Sequence, residues 1–171
     1  MKWVNHAVCT TSIVYCFTGS FLFSGLSLIG VSIPDRLDGR PPDRNVDAEG
    51  YIAWMARHRG ISHCFIPYLF LLFAIEFLVS PGIIPSHFRF YLYCLEFVVV
   101  GSLLHILEDM LCGKVPFWGS RYRFGFHFFE VGSWKEYLFT ALIFLYYIHF
   151  DVFGFYYDLM WSFKQFLRSI F

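Results

Sequence analysis

The sequence predicts an all-α integral membrane protein: a bundle of about four to five transmembrane helices followed by a C-terminal amphipathic helix. Three observations predict it. The chain is 57% hydrophobic and 23% aromatic with a mean hydropathy of +0.55, and only 15% of it is charged, against about 25% in soluble domains. Its 171 residues permit one domain, and packing 23 Phe, 11 Tyr and 5 Trp inside so small a soluble globule conflicts with its surface-to-volume ratio. Finally, several apolar runs approach the ~20 residues that a helix needs to cross about 30 Å of hydrocarbon. Residues 1–171 are read as a single membrane domain with polar loops at 34–60 and 113–135.

The first segment, Ala7 to Ile33, carries no charge but contains Gly19, Gly25 and Gly30. It can be one tilted helix about 40 Å long or a hairpin of two short helices turning near Thr18-Gly19-Ser20; hydropathy favours the single span. Ile61 to Val79 predicts the next span, stopped by Ser80-Pro81-Gly82. Phe90 to Leu111 predicts another, and Tyr137 to Phe150 the last. Beyond Gly154, Lys164 and Arg168 stand four apart among apolar residues, the pattern of an interfacial amphipathic helix. No cleavable leader stands out near Lys2 and His6.

Basic residues concentrate in the two polar loops, from Arg36 to Arg59 and from Lys114 to Lys135. The opposite turn and the C-terminus offer Arg89, Lys164 and Arg168, so the positive-inside rule places both loops in the cytoplasm. Balanced charge, 13 basic against 13 acidic residues, argues against a nucleic-acid partner, which requires a basic face. The five cysteines lack CxxC spacing and read as small buried hydrophobes.

Ionisable residues gather at the helix ends on that cytoplasmic face. Asp35 and Asp38 close the first segment, His58 and His63 open the second in HRGISH, and His105 and Asp109 end the third in HILEDML. Such groups at membrane-helix ends are functional candidates. His105 and Asp109, four apart, share a helix face and can hold one ion. His58 and His63 are five apart, about 140° around a helix, so a turn at Gly60 is needed if both face one site. Imidazole with carboxylate suits zinc, manganese or iron, as one or two divalent ions. A structural hydrogen-bonded pair is the plain alternative for His105 and Asp109.

HRGISH before an apolar run, then LLHILEDMLCGKVPFW and RYRF, resembles the YdjM-like family of bacterial inner-membrane metal-dependent hydrolases. The resemblance covers roughly residues 6 to 145. It implies a multi-pass protein of the bacterial inner membrane with Asp35, His58, His63, His105 and Asp109 as ligands, and His6 as a match to an early family histidine. Departures are the three-residue step from Asp35 to Asp38 where the family has two, Cys64 and Leu104 in place of serines, and Cys112-Gly113 where a threonine is common.

A bound ion would activate water or polarise an acyl or phosphoryl oxygen. Asp38 or Glu108 is then the expected general base, although Glu108 lies about 100° round the helix from Asp109. Arg59, with Arg121 and Arg123, is the expected clamp for an anionic group. A site at headgroup depth implies an amphipathic or lipid-linked ester or phosphoester in the surrounding bilayer. Two other readings stand beside the hydrolase. One is an accessory subunit docking a membrane partner or a second copy through FGFHFF and FLYYIHF; the other is an ion-handling protein, for which Glu76 and Glu96 are the mid-span candidates.

Overall fold

The computed structural model describes residues 1–81, 83–118 and 122–170; the side chains at 56, 152–153 and 155–170 lie outside the described residues. It is mostly helical: α1 (Trp3–Thr18), α2 (Phe21–Val31), α3 (Ile33–Asp38), α4 (Ala48–Arg57), a 3-10 turn (Ile61–His63), α5 (Phe65–Val79), α6 (Ser86–Cys112), strands β1 (Val115–Trp118) and β2 (Tyr122–Phe124), and α7 (Trp134–Ile170). Among the described residues, α6 is the one helix long and apolar enough to cross a membrane; α5 is apolar but only 15 residues long.

The unbroken first span does not form. Gly19 adopts φ 63°, a left-handed conformation that ends α1 with its N–H on the Tyr15 carbonyl at 2.7 Å. The Ser20 hydroxyl then accepts the Phe23 N–H and starts α2. The result is the hairpin, with His6 near its beginning and Asp35 just past its end. Hydropathy could not show this, because an apolar glycine-serine turn scores much like an apolar helix.

Small residues decide how closely the hairpin meets α6. A Cβ on Gly30 would collide with the Val98 carbonyl, and one on Gly101 with the backbone of Ser27. The Ser102 hydroxyl also donates to the Gly30 carbonyl at 2.9 Å. Close backbone approach through glycine and serine is the packing used where apolar burial gives helices little reason to associate. On the other side of α6, Phe65, Ile75 and Val79 of α5 form a core with Val99, Leu103, Ile106 and Met110.

α7 runs beside α1 in the same direction. Asn5 donates to Glu136, the Cys9 thiol meets the Thr140 hydroxyl at 3.6 Å, and the Tyr15 hydroxyl donates to Asp151 at 2.8 Å. Its backbone stays helical through Gly154 to Ile170, whereas the side chains of the expected amphipathic segment, Lys164 and Arg168 included, lie outside the described residues. β1 and β2 pair antiparallel after α6. The segment that follows is held there because Phe126 and Phe128 donate their N–H groups to the Met110 and Leu111 carbonyls. The span expected from Ile61 is shortened, since residues 61–63 form a tight turn and α5 begins at Phe65, with Pro67 in its first turn.

Candidate metal centre

Four elements bring ionisable side chains to one end of the bundle. α6 presents His105 and Asp109 from one face. The α2–α6 crossing carries the start of α3, and with it Asp35, onto that face, while the hairpin returns His6. The turn before α5 supplies His63. Here Arg59 takes φ 58° and the Gly60 backbone passes so close to Arg57 that a Cβ would sit 2.7 Å from its carbonyl oxygen. Gly60 is therefore required by the local path, and that path aims His63 inward.

The donor atoms converge. His63 Nε2 lies 3.3 Å from His105 Nε2 and 3.4 Å from Asp35 Oδ1, and His105 Nε2 lies 3.6 Å from the same Asp35 oxygen. Metal–ligand bonds of about 2.0–2.1 Å in a tetrahedral site separate neighbouring donors by about 3.3–3.4 Å, so this triangle has the dimensions of one face of such a site. Asp109 Oδ2 stands 3.5 Å from His63 Nε2 and 3.9 Å from His105 Nε2. A second triad, His6, His105 and Asp109, shares His105 with the first. His6 Nε2 is 3.3 Å from Asp109 Oδ1, and its ring stacks on His105 with centroids 4.0 Å apart.

The two triads are electrostatically unlike. Asp109 Oδ1, the oxygen facing His6, already receives the Arg59 guanidinium at 2.8 Å and the Met1 ammonium at 2.6 Å. Those positive charges oppose a cation there. The Asp35–His63–His105 side has two neutral-capable imidazoles and a carboxylate, and it offers Asp109 Oδ2 as well. The donor set thus fits one divalent ion between Asp35, His63, His105 and Asp109 better than it fits two.

Outer partners orient these ligands. His63 Nδ1 faces the Ser62 hydroxyl at 3.0 Å and Asp38 Oδ2 at 3.4 Å. His6 Nδ1 meets Glu108 Oε2 at 2.6 Å, and Thr10 donates to the other Glu108 oxygen at 2.9 Å. A carboxylate on Nδ1 leaves Nε2 to face inward, the arrangement that prepares an imidazole to bind a metal. His105 Nδ1 is buried without a hydrogen-bond partner. His6, His63 and His105 are at most 1% exposed. Polar groups so deep are costly to bury unless something satisfies them.

The other expected residues have these partners. Asp38, expected as a general base, accepts the Arg59 N–H at 2.8 Å and the Ser62 hydroxyl and so braces the HRGISH turn. Glu108 points to His6 and Thr10, consistent with its offset from Asp109. Arg59, expected as an outward clamp, reaches inward to Asp109; a Cβ on Gly113 would stand 2.7 Å from its guanidinium. His58 stays outside both triads. It stacks on Trp54 with centroids 4.3 Å apart, and its Nδ1 lies 2.9 Å from Asp38 Oδ2, off the hydrogen-bond direction. Arg121 lies outside the described residues. Sequence reasoning missed Ser62, Thr10 and Gly113, whose contributions depend on neighbours distant in the chain.

In comparisons with protein-family models, curated proteins and solved structures, nothing matched this chain. The geometry therefore carries the chemistry by itself. Asp35 has a side chain 38% exposed, while those of His63, His105 and Asp109 are at most 3% exposed. Beside Asp35 opens a cleft of about 720 Å³, lined also by Arg36, Arg40, Trp54 and His58. Burial pushes the Asp35 carboxyl up, but the His105 and His63 rings more than offset this and hold it well below the usual carboxylate range. Burial also pushes the His58 imidazole down, against the charges of Asp35 and Asp38.

Proposed function

We propose that the protein is a membrane-embedded, metal-dependent hydrolase acting on a lipid or lipid-linked ester or phosphoester. The observation that carries this reading is the asymmetry of the ligand set: three buried donors back an ion, and the exposed fourth, Asp35, opens it to a cleft with two arginines. When bound, a divalent ion supplies Lewis-acid polarisation and a water acidified toward neutral pH. The chain's own residues do the rest. Asp38 and Ser62 fix the His63 ring, Arg36 and Arg40 draw an anionic substrate group toward Asp35, and Trp54 with His58 forms the wall that limits solvent. The similarity of HRGISH and LLHILEDML to the YdjM-like hydrolases supports the same chemistry.

In this reading the chain is multi-pass in the bacterial inner membrane. α6, α5 extended by its flanks, and α7 cross the bilayer, while α1 and α2, about 24 and 16 Å long, enter and leave by one face. The ligands then lie at cytoplasmic headgroup depth, where the loop arginines belong. Zinc or manganese is the favoured ion.

A panel of ester and phosphoester lipids in mixed micelles tests the proposal. Cleavage should vanish with a chelator or with His63→Ala, and a divalent metal should restore it in the chelated wild type alone. Stoichiometric metal without cleavage of any panel member would instead favour the accessory subunit, to which the exposed Phe126 and Phe128 would offer a docking face.

A further inference from the structure

On the other side of α3 from the Asp35 cleft lies a second cavity of about 790 Å³. Leu37, Ile61 and Leu71 give it an apolar lining from three elements, α3, the 3-10 turn and α5. Arg57 and Arg123 also line it, from α4 and β2. The acid lining it, Asp38, is already engaged by Ser62 and the Arg59 N–H, so the two guanidiniums face no free carboxylate from that residue. On another face of α5, Phe70, Phe73 and Phe77 are 65–75% exposed. Beside Arg123, the β1–β2 hairpin exposes Trp118 and Tyr122, residue types that settle at the membrane–water interface.

We propose that this groove seats an anionic phospholipid, with an acyl chain against Leu37, Ile61 and Leu71 and the phosphate between Arg57 and Arg123. The assignment goes beyond the hydrolase reading: it gives the chain a lipid seat apart from the Asp35 cleft, and it stands whether or not that lipid is the substrate. An acyl chain suits the apolar floor, because each methylene removed from water contributes about 0.8 kcal/mol. The phosphate suits the two guanidiniums lining the cavity, a group that binds such oxygens in bidentate fashion. The seat also touches the metal centre through one residue: Ser62, in its wall, lies 3.0 Å from Nδ1 of His63. A headgroup held there is level with the ligands.

Native mass spectrometry of the detergent-purified full chain tests this, using palmitoyl-oleoyl phosphatidylglycerol against the corresponding phosphatidylcholine. The wild type should hold the anionic lipid about tenfold more tightly. Arg57→Gln/Arg123→Gln should erase that preference, and Leu71→Trp, which fills the groove, should weaken both lipids. Metal content should be unchanged in each. Should Leu71→Trp fail to fold, the two exposed arginines still decide the matter. Equal binding of the two lipids by the wild type, or an undiminished preference in the double arginine variant, overturns the groove. Groove-dependent lipid binding by a wild type that holds no metal would sink the hydrolase reading and leave the lipid seat standing.

Discussion

The two halves of α6 share one helix and little else. From Ser86 to Val98 no residue is fully buried, and aromatics such as Phe88, Phe90 and Tyr91 face outward. From Val99 to Cys112 the helix is mostly buried, and its inward face carries Gly101, Ser102, His105, Glu108 and Asp109. The first half is shaped for an apolar surrounding, the second for the α1–α2 hairpin and the ligand cluster. Most polar groups in the second half have a partner, Ser102 on Gly30, Glu108 on His6 and Thr10, Asp109 on Arg59, while His105 keeps one ring nitrogen, Nδ1, buried without one. The contrast teaches that the apolar segment is a carrier and the small and ionisable residues specify what it carries.

Substitutions along α6 break or sharpen that contrast. The largest effect is expected at Asp109: Asp109→Ala removes a candidate ion ligand and leaves the part-buried Arg59 guanidinium without its anion, an expected loss of about 3 kcal/mol in stability together with any bound metal. Thermal unfolding with and without chelator measures both, and a variant as stable as wild type and still metal-loaded contradicts the assignment. Gly101→Leu comes next. Its side chain must displace the Ser27 backbone, costing about 1–3 kcal/mol, and it should lower metal affinity although it touches no ligand; unchanged affinity would uncouple the crossing from the site. Glu108→Gln keeps volume but weakens the hold on His6. Because the ion fits between Asp35, His63, His105 and Asp109, metal affinity should change by less than about tenfold in a competitive chelator titration; a fall of about 10- to 100-fold would bring His6 into the ligand set. Phe90→Ala, in the outward half, should change stability by no more than about 0.5 kcal/mol and leave the metal untouched.

Much of the site was legible because its residue types are expensive in an apolar chain. His63, His105, Asp35 and Asp109 stood out for that reason, and the structure gathers them. His58 stood out equally and belongs to neither triad: its ring stacks on Trp54 and lies 5.6 Å from that of His63, with Asp38 Oδ2 beside both. Asp38 and Glu108 were visible as acids, but not as the partners of His63 and His6. Such a role needs contacts across 25 and 102 positions of sequence. The hairpin was readable only as an alternative, since hydropathy is blind to one glycine with positive φ. The α2–α6 crossing left a trace in Gly30 and Gly101 that becomes meaningful once their partners are known.

Metal content per chain, measured on detergent-purified protein, tests the central claim most directly. The account predicts about one divalent ion in the wild type, consistent with a single well-formed donor triangle. It predicts near-complete loss in His63→Ala and retention in His58→Ala. Wild type and His63→Ala carrying the same substoichiometric metal would show that the buried His/Asp cluster is a hydrogen-bonded network and nothing more.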